Sequence, residues 1–102
     1  MQLQIQGRNF KITDAVQAYV SKKIGNATRH YDNLIVETDV TLEKLPNRNP
    51  IDSNLVAVTV YVNGAVLHVE DHHNSLFACI DGVADKVRRQ LETYKSKRNC
   101  HA

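Results

Sequence analysis

Four valines at alternate positions, Val56, Val58, Val60 and Val62, run directly into Asn63-Gly64, and this segment limits the possible folds more than any other. Period-two spacing of β-branched residues marks a strand with one buried face. Asn-Gly accepts the positive φ angles that a two-residue type I′ turn requires. A hairpin is therefore predicted, with strands over about 55–63 and 65–71. An isolated hairpin is marginal in water, so the valine face needs a cover from elsewhere in the chain.

The rest of the sequence supplies that cover. Residues 2–7 read as a strand with Leu3 and Ile5 on one face. In residues 35–45, Val36, Thr38, Val40 and Leu42 stand opposite Glu37, Asp39, Thr41 and Glu43, the pattern of a half-buried strand with an acidic outer face. Thr13-Asp14 reads as a helix start, with Thr13 as cap and Asp14 at the positive end of the dipole. Val16, Val20, Ile24, Ala27 and Tyr31 follow at steps of three and four, predicting a helix over about 14–31, with Gly25 inside it. Asn74 or Ser75 caps a second helix. Its stripe is Leu76, Ile80, Val83, Ala84, Val87, Leu91 and Tyr94, reaching about residue 97 over about 35 Å. Pro46 to Pro50 is a loop by composition. Phe10 and Phe77 are expected in the core.

The order is β-α-β-β-β-α. The expected fold class is α+β, a two-layer sandwich with two helices packed on one face of a four-stranded sheet. With 102 residues, a single domain over 1–102 is expected. The 42% hydrophobic share argues against disorder. No apolar run approaches the length of a membrane span, and the alternating start Leu3-Gln4-Ile5-Gln6 is not that of a signal peptide. Cys79 in an apolar stripe and Cys100 in the tail make a poor disulfide framework, so free thiols in a reducing, cytoplasmic compartment are expected.

The formal net charge of +2 conceals blocks of opposed sign. Residues 1–31 hold Arg8, Lys11, Lys22, Lys23 and Arg29 against Asp14 alone. Residues 32–74 set Lys44 and Arg48 against seven acids. Residues 75–102 return to basic, with Lys86, Arg88, Arg89, Lys95, Lys97 and Arg98 against three acids. On a helical projection of the last helix, Lys86, Arg89, Thr93 and Lys97 share one flank without an acid. Asp81, Asp85, Arg88, Glu92 and Lys95 occupy the other, at spacings suited to local pairs. Lys22 and Arg29 share the exposed face of the first helix, and Lys23 lies at the edge of its apolar stripe, placed to snorkel. An unpaired basic stripe suits a phosphate backbone, which offers anions at regular intervals. A solubilising face that binds nothing is the competing reading. If both helices cover one sheet face, their outer sides form one positive surface and the strands hold the negative charge opposite.

Other chemistry is weakly supported. His68, His72 and His73 lack companion ligands at metal spacing, so loop histidines are preferred to a metal site or a small enzyme built on them. Asp81 and Asp85 have Arg88 and Arg89 within helical reach, which favours surface salt bridges over acid–base work. There is no phosphate-binding glycine loop, nucleophile arrangement or cofactor fingerprint, so no cofactor and no enzymatic activity are expected. The scattered aromatics offer no stacking pair on the sheet, and recognition is expected to follow shape and phosphate.

Met1 to Gly7, Ile12-Thr13-Asp14-Ala15, Val62-Asn63-Gly64, and above all the run Ala78 to Leu91 resemble the ribosome hibernation promoting factor and ribosome-associated inhibitor family of bacteria. The resemblance covers nearly the whole chain. It implies a fold similar to double-stranded RNA-binding domains and a non-enzymatic ribosome-binding role under stress or in stationary phase. The implied partner is the small ribosomal subunit and its rRNA, where the protein blocks the messenger and transfer RNA channel. Lys23, Lys86, Arg89, Lys95 and Lys97 match the family's basic positions, while Lys22, Arg29, Arg88 and Arg98 carry over less directly. The length resembles the short promoting-factor type, which favours inactive dimeric ribosomes alongside a separate ribosome modulation factor and is expected to be a monomer off the ribosome. A truncated long member would end the same way. A free-standing double-stranded RNA-binding module is the alternative.

Overall fold

The computed structural model describes residues 2–8, 10–44 and 54–99, with side chains up to residue 96. The predicted loop at 46–50, Arg48, Cys100, and the side chains of Lys97 and Arg98 lie outside the described residues. The elements are β1 (Gln2–Arg8), α1 (Asp14–Thr28), a 3₁₀ segment (Arg29–Leu34), β2 (Ile35–Lys44), β3 (Asn54–Val62), β4 (Ala65–His73) and α2 (Leu76–Asn99). The strands form one mixed sheet in the order β1-β2-β3-β4. β1 runs parallel to β2, and the other neighbours pair antiparallel. This is the expected α+β architecture of two helices and a four-stranded sheet.

The core is built around the β3 valines. Val56, Val58, Val60 and Val62 are between 0% and 6% exposed and share one face with Val40, Leu42 and Val69. Burying a side chain of this size contributes about 1.5–3 kcal/mol, so this row is a large part of the fold's stability. Ile80, Val83, Val87 and Leu91 of α2 and Val16, Val20 and Ile24 of α1 complete the cluster. The hairpin closes as predicted, with Gly64 at φ 88° in the turn after Asn63. The Tyr94 hydroxyl donates to the Asn63 carbonyl at 2.5 Å, tying α2 to the hairpin.

Both helix starts follow the sequence. Thr13 Oγ1 accepts from the Val16 N–H at 3.2 Å, and Ser75 Oγ accepts from Ala78 N–H at 3.4 Å. The end of α1 does not. The buried Thr28 hydroxyl donates to the Ile24 carbonyl at 2.8 Å, an acceptor the helix would otherwise use for its own backbone. The chain tightens into the 3₁₀ segment from Arg29, so α1 ends three residues before the predicted 31. Tyr31 still packs against the core.

Two core assignments are corrected. The β2–β3 register shifts between Ile35 and Glu37. This bulge puts Ile35 in the core, 6% exposed, and leaves Val36 at 60%. Strict alternation therefore holds for Thr38, Val40 and Leu42 but not for Val36. Phe77 is 43% exposed, because it lies at the edge of the α2 apolar stripe beside Tyr19.

Cys79 is fully buried, and its thiol donates to the Asp71 carbonyl at 3.1 Å. Burial, followed by the Asp71 charge, pushes its pKa up to about 11. The folded state therefore holds the thiol proton more tightly than the unfolded state. This contribution to stability is present at neutral pH and is lost as the pH rises from about 9 to about 11. In a Cys100→Ser background, native Cys79 should resist iodoacetamide at pH 8, where about a thousandth of it is thiolate, and react fully in urea. Equal alkylation rates in the native and unfolded chain would contradict this burial.

Candidate nucleic-acid interface

The two helices lie side by side and run in the same direction. Tyr19 meets Phe77, Lys23 meets Asp81, and Tyr31 meets Lys95. α2 therefore has two flanks, one along α1 and one along β4, each bordering a shallow groove.

Along α1, the groove is about 270 Å³ and is lined by Lys23, Asn26, Ala27, Asp81, Ala84, Asp85 and Arg88. Its charges are largely paired. Asp81 accepts from the Tyr19 hydroxyl at 2.7 Å and lies 3.5 Å from Lys23 Nζ. The hydrogen bond to Asp81, with desolvation second, raises the Tyr19 pKa above its ordinary value. Lys23 sits 5.5 Å from the Tyr19 ring centroid, the snorkelling its edge position suggested. Arg88 forms a 2.9 Å pair with Asp85 and another with Glu92. The hydrogen bond to Asp85 leads the causes that push the Arg88 pKa up, so it remains a guanidinium cation. At the far end, Lys95 Nζ lies 5.7 Å from the Tyr31 ring centroid.

Along β4, the groove is about 560 Å³ and is lined by His68, Val69, Lys86, Arg89, Gln90 and Thr93. This is the flank expected to carry unpaired bases, and that expectation is corrected. Lys86 Nζ donates to the Glu70 carbonyl at 2.8 Å and lies 3.6 Å from Asp71 Oδ1. Arg89, whose side chain is 73% exposed, reaches across the top of the helix to Asp85 at 3.1 Å. The projection considered one helix alone and could not include the acids of β4. The contact of Arg89 with Asp85 is the one the helical spacing allowed, since four residues is one turn and both side chains are long enough to meet.

The site residues thus fall into groups. Lys22 and Arg29 are exposed and make no ion pair with any described residue. Lys95 is exposed against an aromatic face. Lys23, Lys86, Arg88 and Arg89 are exposed to varying degrees and each touches an acid. Lys97 lies in α2, in line with this surface by position alone. Arg29 belongs to the 3₁₀ segment, but its backbone keeps right-handed helical angles, so it continues the exposed face of Lys22 and Asn26. Asp85 pairs with Arg88 and Arg89 as the spacing suggested. Asp81 instead turns to α1, a contact spanning 62 residues that no local pattern signals.

The far side of the sheet is different in sign. Successive rows read Gln2, Glu37, Tyr61 and Val66; Gln4, Asp39, Thr59 and His68; and Gln6, Thr41, Ala57 and Glu70. His68, His72 and His73 lie within β4 rather than in a loop. His68 Nδ1 lies 2.9 Å from Thr59 Oγ1 and its Nε2 lies 3.4 Å from Glu70, a chain of polar contacts on an open surface. No group of three or more His, Cys, Asp or Glu suited to a metal occurs among the described residues. No helix of the described residues is long and apolar enough to cross a membrane.

Fold and charge together define a small α+β domain with a cationic helical side and an acidic sheet side. Residues 3–99 match the family described as sigma 54 modulation protein / S30EA ribosomal protein, and the chain belongs to that family. A ribosome hibernation promotion factor of Picosynechococcus sp. is 39% identical over 97 residues, covering 95% of this chain and 50% of the relative. The ribosome hibernation promoting factor of Azotobacter vinelandii is 36% identical, covering 95% of this chain and 85% of the relative. That of Escherichia coli is 31% identical over 102 residues, covering 99% of this chain and 100% of the relative. The chain therefore spans about half the length of the first relative and most or all of the other two. The crystal structure of the Thermus thermophilus Protein Y N-terminal domain superposes with TM-score 0.77 at 27% identity, over 92% of this chain and 99% of that one. A ribosomal subunit interface protein of Coxiella burnetii shares the fold, with TM-score 0.81 at 19% identity over 94% of this chain and 99% of that one. None of these names is that of an enzyme, in agreement with the sequence reading.

The paired arginines generate a prediction. Asp85→Asn removes the acid that engages both Arg88 and Arg89. The variant should elute from heparin at higher salt than the parent, with a salt-dependence slope steeper by about one. Unchanged or earlier elution would show that the two arginines do not face the polyanion.

Proposed function

We propose that this chain is a ribosome hibernation factor whose domain over 1–102 binds the small ribosomal subunit near the decoding region. Its helical side engages rRNA through Lys22, Lys23, Arg29, Lys86, Arg88, Arg89, Lys95 and Lys97. Its body blocks messenger and transfer RNA, and the bound state favours inactive, dimeric ribosomes under stress. Ribosome modulation factor acts on the same ribosomes, and the chain is a cytoplasmic monomer when free.

The observation that carries this reading is the separation of charge across the sheet. Lys22 and Arg29 project from the helical side without a partner among the described residues, while Glu37, Asp39 and Glu70 lie on the opposite face. A domain of this kind approaches a phosphate surface in one orientation, because the sheet side is repelled. The names of the relatives supply the polyanion. Contacts to phosphate displace counterions, so affinity falls steeply as salt rises. The pairs at Lys86 and Arg89 do not oppose this. Exposed pairs are worth about 0–1 kcal/mol, and a phosphate can share the same donors.

Charge reversal tests the assignment best at the residues that carry least structure. Lys86→Glu would set a new carboxylate against Asp71 and weaken the fold, so Lys86 is left alone. The combined variant Lys22→Glu, Arg29→Glu and Arg89→Gln, which sets no new carboxylate against Asp85, should lose co-sedimentation with small subunits at low salt while its thermal melt stays near that of the parent. Unchanged binding by a folded variant would remove the assigned surface. Competition between small subunits and RNA duplexes separates this reading from a general double-stranded RNA-binding module, which duplexes would strip from the subunit.

A further inference from the structure

Two aromatic side chains stand exposed among the described residues, Tyr61 at 37% and Phe77 at 43%. Tyr61 pairs in register with Glu37 on the acidic sheet face. Phe77 lies on the opposite, cationic side, in the first turn of α2. Its ring meets Tyr19 edge to face, with centroids 4.8 Å apart and planes at 86°. Tyr19 is itself held by its hydroxyl bond to Asp81 and covered by Lys23. Asp81, the acid of this cluster, is engaged by both Tyr19 and Lys23. Lys22 and Lys23 lie within one turn of Tyr19 on α1.

A single exposed phenylalanine is ordinary on a protein surface. This one is braced by a second ring that itself carries the Lys23 ammonium over it, with Lys22 one residue away on α1, and that combination selects among partners. An aliphatic protein surface would cover the ring but gain nothing from the lysines. An unpaired nucleotide matches both, with a π-face for the ring and a phosphate for the ammonium groups. The edge-to-face brace also lowers the entropy lost when a base settles on the ring.

We propose that Phe77 is a stacking platform for an unpaired nucleobase, with Lys22 and Lys23 holding the adjoining phosphates. This rests on the reading that the helical side meets RNA, and it adds a stacking contact to a surface otherwise read as purely electrostatic. It also adds a helix-borne platform to the expectation that recognition follows shape and phosphate more than sequence, which considered stacking on the sheet alone.

The chain contains no tryptophan, so Phe77→Trp introduces a unique fluorophore at the platform. This variant should bind small subunits like the parent, with its emission quenched on binding. Oligoadenylate at low salt should quench it too, whereas polyphosphate, which has charge but no bases, should not. Phe77→Ala, checked by thermal melt, should bind subunits about ten-fold more weakly at every salt concentration, leaving the slope of log K against log salt unchanged. Emission that is unquenched by oligoadenylate, or blue-shifted without quenching on the subunit, would overturn the platform, as would an unweakened Phe77→Ala. Quenching by oligoadenylate with no binding to subunits would instead overturn the ribosomal reading and leave the platform standing.

Discussion

The packing of the β3 valine row beneath α2 is the contact on which the rest depends. Val56, Val58, Val60 and Val62 present one continuous apolar strip, and Ile80, Val83, Val87 and Leu91 lie against it. Once that stripe faces inward, the rotation of α2 is set. Every polar residue on it is then assigned to the α1 groove, the outer surface or the β4 groove. The cationic side is a consequence of apolar packing, with the charges occupying what the core leaves outside. Shifting a strand by one residue would exchange that strand's two faces, turning its acids toward the core and its apolar residues toward solvent.

The charges on that surface are arranged more closely than a simple basic patch. Asp71 and Asp85 engage Lys86, Arg88 and Arg89 in the free protein, while Lys22 and Arg29 remain without ion pairs among the described residues. Such pairs limit self-repulsion on a domain that gathers many cations on one side. They are exposed and weak, so phosphate can compete for the same donors. Under the proposed function this arrangement gives a graded response, in which the unpaired cations attract a polyanion at a distance and the paired ones rearrange on contact.

Much of the architecture was legible because it rests on local signals. Alternation predicted β3, helical periodicity and a capping threonine predicted α1, and Asn63-Gly64 predicted the turn. The misplaced residues depend on tertiary context. Val36 is turned outward by a bulge, Thr28 bonds back to Ile24 and shortens α1, and Phe77 sits at the edge of a stripe whose limits only the packing defines. The candidate site was legible as a set of basic residues but not as an arrangement. Asp71 approaches Lys86 from another strand, and Tyr19, Asp81 and Phe77 meet across the helix pair. No spacing along one element could have signalled these contacts.

The central claim is that the side carrying the charge matters, and not the net charge alone. Two variants with the same change of net charge test it most directly. Lys22→Gln with Arg29→Gln removes two positive charges from the helical side, and Gln2→Glu with Gln6→Glu adds two negative charges to the sheet side. Small-subunit affinity, measured by co-sedimentation over a range of salt, should fall with a shallower salt slope for the first pair and stay close to that of the parent for the second. Equal losses, or a larger loss for the sheet-side pair, would contradict the account.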